Sequence, residues 1–230
     1  MTILYRVPLT EPLDTPMTDA PRANRDPAEI KRKRAMLDRD HIAPLTEFVW
    51  RLNRNRGGGE LVPWFDPTEA GVYAPILALF EAPGGKATGQ SGPKARPGSG
   101  FISADNDDPS AENMWHILRE AGVDRTSEYT AWNIVPWYLG SDRKIAPPTA
   151  RDLDEALPAL AELLGLLPRL QVVLLLGRHA QAGWKRAVLA PQLHVLKCPH
   201  PSPRALNGHP ERRREIVDAF ICARRLAGLA

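Results

Sequence analysis

Cysteine is nearly absent from this chain, with two in 230 residues, Cys198 and Cys222. Two thiols cannot form a four-cysteine zinc or iron–sulfur site, and they cannot staple a chain of this size. Stability must therefore come from a packed core, and a reducing, cytoplasmic setting is expected. Long apolar runs are also missing. The most apolar stretch, Val172 to Leu176, is far too short to cross a bilayer, so no membrane association is expected. The first 25 residues lack the apolar core of a signal peptide and are rich in Pro, Thr and Asp, which predicts a disordered tail over 1–27 ahead of a single domain over 28–230. Met1 and Met17 are both candidate starts. A strong excess of one charge is lacking too: 30 Lys and Arg face 27 Asp and Glu, a net charge of +3. Only clustered charge would then point to nucleic acid. Clusters occur at Lys31–Arg34, Arg51–Arg56, Lys94–Arg96 and Arg212–Arg214, and each taken alone reads as a solvated face.

What is present is a globular composition, 43% hydrophobic and 25% charged, with apolar strand-like runs alternating with helical periods. Strands are predicted over Tyr73–Phe80, Tyr129–Val135, Gln171–Leu176 and Gln192–Leu196. Helices are predicted over Ala28–Leu37, Ile42–Leu52, from Ser110 as N-cap to Ala121, Pro148–Leu167 with Thr149 as cap, His179–Leu189 and Pro210–Leu226. Residues 83–100 read as a glycine- and proline-rich loop. The alternation implies an α/β fold, a three-layer α/β/α sandwich around a central four-stranded parallel sheet. In such a sheet ligands bind at the carboxyl ends of the strands.

Three strand ends carry unusual residues. Cys198-Pro199-His200-Pro201-Ser202-Pro203-Arg204 holds a histidine on a turn stiffened by three prolines. Phe80-Glu81-Ala82-Pro83-Gly84-Gly85 follows the first strand. Trp132-Asn133-Ile134-Val135-Pro136 places an amide in an apolar strand, where Asn is disfavoured. A zinc site from His194, Cys198 and His200 is set aside, because four residues of strand span about 13 Å. The segment 84–89 fits neither phosphate-loop fingerprint, and no Gly-x-Ser-x-Gly elbow is present.

These segments, in this order, together with the Val-Leu-Leu-Leu-Gly run, resemble the uracil-DNA glycosylase superfamily over roughly residues 73–228. The His-Pro-Ser-Pro-Arg segment is most similar to the single-strand-selective monofunctional branch. The Glu-Ala-Pro-Gly segment is similar to the thermostable iron–sulfur branch, whose four cluster cysteines this chain lacks. The resemblance implies a cofactor-free, monomeric DNA glycosylase acting on uracil or another deaminated base in DNA. It implies that His200 donates to the departing base, that Phe101 stacks on the base, and that Asn133 reads it, with Ala82, Pro83 and Gly84 around it. An amide offers a donor beside an acceptor, the complement of uracil O4 and N3–H. Taken alone, each has a plainer reading: a core Phe, an amide bonded to backbone, a loop His. Other branches place Asp or Asn where Ala82 stands, so the attacking water falls to Glu81, to Asp105 or to backbone carbonyls. Ser91, Lys94 and Ser202 are expected at phosphates, and Arg204 at a phosphate or as the minor-groove wedge. A weakly catalytic nucleic-acid-binding relative and a nucleoside hydrolase remain the alternatives.

Overall fold

The computed structural model describes residues 18–88, 98–140, 146–187 and 192–229. In chain order these form α1 (Pro27–Arg34), α2 (Ala43–Asn55), β1 (Trp64–Phe65), β2 (Ile76–Phe80), α3 (Gly85–Thr88), β3 (Phe101–Ile102), α4 (Pro109–Glu120), α5 (Arg125–Glu128), β4 (Tyr129–Asn133), α6 (Ala150–Gly165), β5 (Val172–Leu176), α7 (Arg178–Arg186), β6 (His194–Cys198), α8 (Pro203–Leu206) and α9 (Pro210–Leu226). Four strands make one parallel sheet in the order β4-β2-β5-β6. Helices α4 and α9 cover one face of the sheet, and α7, backed by α6 and α2, covers the other. The α/β/α sandwich expected from the alternation of periods is thus the fold.

The centre of the sheet is dry. Every residue of β5 and Ile76 to Leu79 of β2 are fully enclosed, as a near-continuous apolar run requires when helices lie on both faces. β6 differs from the two strands at the centre of the sheet. It is an edge strand with one neighbour, and His194, Val195 and Lys197 are exposed. Only Cys198, at its carboxyl end, is buried, and burial pushes its thiol up to about 12.

Helix starts follow their caps. Thr149 and Asp152 form a reciprocal capping box on α6, the expected arrangement. Ser110 is not the cap of α4. Asp108 is, accepting from the N–H groups of Ser110 and Ala111, because Pro109 takes the first helical position and moves the cap one residue ahead of it. Within the expected loop 83–100, Gly85–Thr88 forms a short helix and Phe101–Ile102 pairs in parallel with Trp64–Phe65. Such two-residue pairings are too short to show a period in sequence.

The expected tail is ordered in its last part. The turn at Ala23–Arg25 buries Asn24, whose amide donates to Asn106 Oδ1 at 2.9 Å and whose N–H donates to the Asp105 carbonyl at 3.0 Å. Residues 1–17 lie outside the described residues. Lys33, expected on a solvated basic face, is 1% exposed. Its ammonium lies 2.5 Å from Asp66 and 2.7 Å from Asp105. Arg125 closes the network on Asp105 at 2.7 Å. Three buried charges and the half-buried Arg125 thus fasten the first helix to the loops after β1 and β3.

Candidate active site

Parallel register brings the three unusual segments to one end of the sheet. Phe80, the last residue of β2, stands beside Asn133, the last residue of β4. The chains stay together past the strand ends, with Ile134 N–H on the Phe80 carbonyl and Val135 N–H on the Glu81 carbonyl. The Phe80 ring meets the His200 imidazole edge-on at 5.9 Å. Phe80 therefore stands between the amide of one expected motif and the imidazole of another, with Glu81 next to it in the chain.

His200 is held by its backbone surroundings. Gly177, between β5 and α7, donates its N–H to the Cys198 carbonyl, and Gln181 reaches the same carbonyl at 3.2 Å. Asn113 on α4 donates to the Pro201 carbonyl at 2.9 Å. Gly177 has φ of 88°, and a Cβ built on it would stand 3.0 Å from the His200 Cβ. Only glycine adopts that backbone freely and leaves the imidazole its place. In the sequence Gly177 stands out only as the end of the Val-Leu-Leu-Leu-Gly run; its role beside His200 appears only in the fold.

The Ser202 N–H donates to His200 Nδ1 at 3.1 Å. In the neutral ring one nitrogen accepts and the other carries the proton, so Nε2 is the donor. Desolvation, helped by nearby His179, pushes the imidazole down to about 4. His200 is thus a neutral N–H donor at ordinary pH, fixed in one tautomer.

Asn133 is 4% exposed, and its Nδ2 is buried with no hydrogen-bond partner among the described residues. A buried donor left unpaired costs about 1–3 kcal/mol, and native interiors rarely tolerate one without a reason. It stands at the carboxyl end of the sheet, where a ligand would be met.

Glu81 is one-third exposed, and its carboxylate lies 3.9 Å from His179 Nε2. Asp105, the other carboxylate considered for the water, is committed to Lys33 and Arg125. Both of its oxygens are engaged there, so it serves the fold and not the attacking water. Ala82 and Gly84 are half-buried and Pro83 is buried. The Gly84 carbonyl accepts from Ala87 N–H at the start of α3.

Phe101 belongs to the short two-stranded pairing that flanks β4. Residues 61–70 run past β4 in the opposite direction: the Leu61 carbonyl accepts from Tyr138 N–H, and Ala70 N–H donates to the Tyr129 carbonyl. Phe65 stacks on Trp132 at 3.9 Å, one residue before Asn133. Phe101 pairs with Trp64, one residue before Phe65. Its side chain is fully enclosed, so a base reaches its face only if covering groups move. Ser202 stands just ahead of α8 with no capping bond from its side chain, and Arg204 is exposed on that helix. Ser91 and Lys94 lie outside the described residues. Ser99 N–H on the Lys86 carbonyl at 2.9 Å joins the two sides of that segment.

A cleft of about 470 Å³ opens beside His200, lined among others by Gly177, Arg178, Lys197, Arg212 and Glu215. Among the described residues no group of three or more His, Cys, Asp or Glu is placed to hold a metal ion. No helix of the described residues is long and apolar enough to cross a membrane.

The family model of the uracil DNA glycosylase superfamily matches residues 74–221. The chain belongs to the uracil DNA glycosylase superfamily. The matched stretch runs from the foot of β2 into α9 and contains Glu81, Asn133, His200 and the whole four-stranded sheet. Membership makes this a DNA glycosylase fold of base excision repair, with hydrolysis of N-glycosyl bonds as its general chemistry and DNA as its partner. No curated protein gives a significant match.

Proposed function

We propose that this chain is a monofunctional glycosylase that hydrolyses the N-glycosidic bond of uracil extruded from DNA, leaving an abasic site. The observation that carries the reading is the unpartnered buried Nδ2 of Asn133 at the strand end facing the imidazole loop. A uracil O4 would satisfy that donor, while the N4 amine of cytosine would oppose it. A base inside a duplex is out of reach, so it must be extruded or single-stranded first.

Bond cleavage leaves the electron pair on uracil N1 and spreads negative charge onto O2. His200 Nε2–H is suited to donate to that oxygen, and a fixed neutral donor needs no reorganisation as the charge develops. The sugar carbon becomes cationic and takes the hydroxyl of a water, whose proton must leave. Glu81 is the partly exposed carboxylate beside the site and is assigned that proton. Ser202 and Arg204 are assigned to the phosphates flanking the extruded base, with Arg204 nearest the duplex.

The apolar Ala82 and the enclosed Phe101 favour one other reading, a relative that binds deaminated bases with little turnover. A labelled oligonucleotide with one uracil separates them. The proposed activity gives strand breaks only after alkali, and His200→Ala slows the single-turnover rate by roughly 10²–10³-fold while substrate affinity is kept. Binding without alkali-labile sites would establish the other reading. Breaks without alkali would overturn the monofunctional assignment.

A further inference from the structure

Trp50 is the most exposed large hydrophobic side chain among the described residues, at 62%. It lies on α2, whose Leu45, Phe48 and Val49 are wholly buried, so it points away from the core. Arg54 is one helical turn further on, on the same face. It is exposed and pairs with no carboxylate among the described residues. The neighbouring acids are already matched, Glu47 by Arg51 at 3.2 Å and Glu60 by Arg34 at 3.6 Å.

The Trp50 ring is not alone. It leans on Trp64, with centroids 5.7 Å apart and planes inclined by 59°. The backbone N–H of Trp64 donates to the Gly100 carbonyl at 2.7 Å, and Trp64 pairs in register with Phe101. Its neighbour Phe65 lies flat on Trp132, the residue before Asn133. Because residues 61–70 run antiparallel to β4, from Leu61 at Tyr138 to Ala70 at Tyr129, the two indoles stand on the flank of β4 towards its carboxyl end. Arg34, the partner of Glu60, also lies close by, 3.3 Å from where a Gly100 Cβ would be.

We infer that Trp50, backed by Trp64 and flanked by Arg54, is a stacking platform for an unpaired nucleobase next to the extruded one, so that the enzyme takes single-stranded DNA. A rigid aromatic with a free face and an unpaired cation one turn away suits a base and its phosphate. A base inside a duplex is stacked on its neighbours and cannot use the platform. The inference rests on the glycosylase reading above, since it places DNA across this end of the sheet.

The test uses two substrates. The first is a thymine-only single strand, read by tryptophan fluorescence in the unmutated protein and in Trp50→Phe and Trp50→Ala. The platform predicts that binding quenches fluorescence, that much of the quench is missing in Trp50→Phe, and that Trp50→Ala weakens affinity about tenfold or more. Trp50→Phe, which keeps an aromatic face, should restore most of that affinity. The second is uracil excision from single-stranded and duplex oligonucleotides. Trp50→Ala should raise the half-saturating concentration on single strands, leave the saturating rate, and change duplex excision little. Equal losses on both substrates, or unchanged single-strand affinity in a protein that still excises uracil, would overturn the platform and leave the glycosylase reading standing. A protein that binds no DNA and excises nothing would overturn that reading instead. Concentration-dependent self-association abolished by Trp50→Ala would mark the face as a contact between copies of the chain, and would also overturn the platform.

Discussion

Asn133 and His200 are prepared in opposite ways. His200 has one ring nitrogen satisfied by Ser202 N–H and is thereby left with a single defined donor. Asn133 has a donor with nothing to meet. The first is a side chain whose tautomer the fold settles, and the second is one whose partner the fold omits. A structural amide would be bonded, and its loss would weaken the fold. An amide kept for a ligand carries an unpaired-donor penalty, and its loss should not. Asn133→Ala is therefore expected to melt at the temperature of the unmutated protein or slightly above it, because about 1–3 kcal/mol of unpaired-donor cost is relieved against the cavity it opens. Its uracil excision should fall by far more than its affinity for DNA. Thermal melts beside excision assays on matched uracil and cytosine oligonucleotides check this. A strongly destabilised variant would show a structural amide instead.

At the scale of elements, the site is a meeting of strand ends and the loops that leave them. The ends of β2 and β5 were legible in sequence because an apolar run stops just ahead of Pro or Gly, whereas β4 ends two residues before the expected Val135 and β6 two residues after the expected Leu196. The same reasoning placed the cap of α6 correctly and that of α4 two residues late, since it weighed Ser110 without letting Pro109 fix the first helical position. The crossing at Gly177 is where an element decides a side chain. Gly177→Ala puts a non-glycine residue at φ of 88° and a methyl 3.0 Å from His200 Cβ. Strain of that kind costs about 1–3 kcal/mol, and the imidazole must shift. The expected outcome is a folded but less stable protein whose single-turnover excision drops tenfold or more, roughly what 1.4 kcal/mol at the barrier gives. Its affinity for substrate DNA should change little. An unchanged rate would show that the imidazole position is not set from this side.

Over the whole molecule, charge is spent inside as well as outside. Lys33, Asp66, Asp105 and Arg125 make a largely buried network, and the two cations hold the Asp66 carboxyl well below the usual carboxylate range despite its burial. Desolvation, seconded by the charge of Asp66, pushes Glu69 well above that range. Removing one partner of a buried set leaves charge uncompensated, so Lys33→Ala should lose about 3 kcal/mol or more of stability and keep its excision rate below its melting temperature. Denaturant unfolding and rate measurements on the same sample test this, and a loss below about 1 kcal/mol would be that of a surface pair instead. Two groups drain stability in acid, while Glu69, which keeps its proton in the folded state, works the other way: its contribution is complete below its ordinary 4.5 and is lost as pH rises through its raised folded value. His200 binds its proton more readily unfolded, near 6.5, than folded, near about 4, so its contribution drains away as pH falls between those values. Asp66 is held below its ordinary 3.8, so its contribution is complete above that value and is lost as pH falls further. Unfolding free energy followed over pH should show both, with His200→Gln flattening only the upper one.

By itself the sequence determined the order and type of the main elements, the parallel sheet and the three motif segments, because period, proline and glycine act over a few neighbouring residues. It also carried the family resemblance, since that rests on residues in linear order. It did not reveal that Asp105 is tied up by Lys33 and Arg125, that Lys33 is buried, that β6 is an exposed edge, or that Phe101 is enclosed. Nor did it reveal that Trp50 leans on Trp64 at the rim, or that Asn133 Nδ2 has no partner. Each of these depends on which residues distant in the chain come to lie together. Hydrogen bonding, burial and charge pairing act through space, and only the folded arrangement decides them.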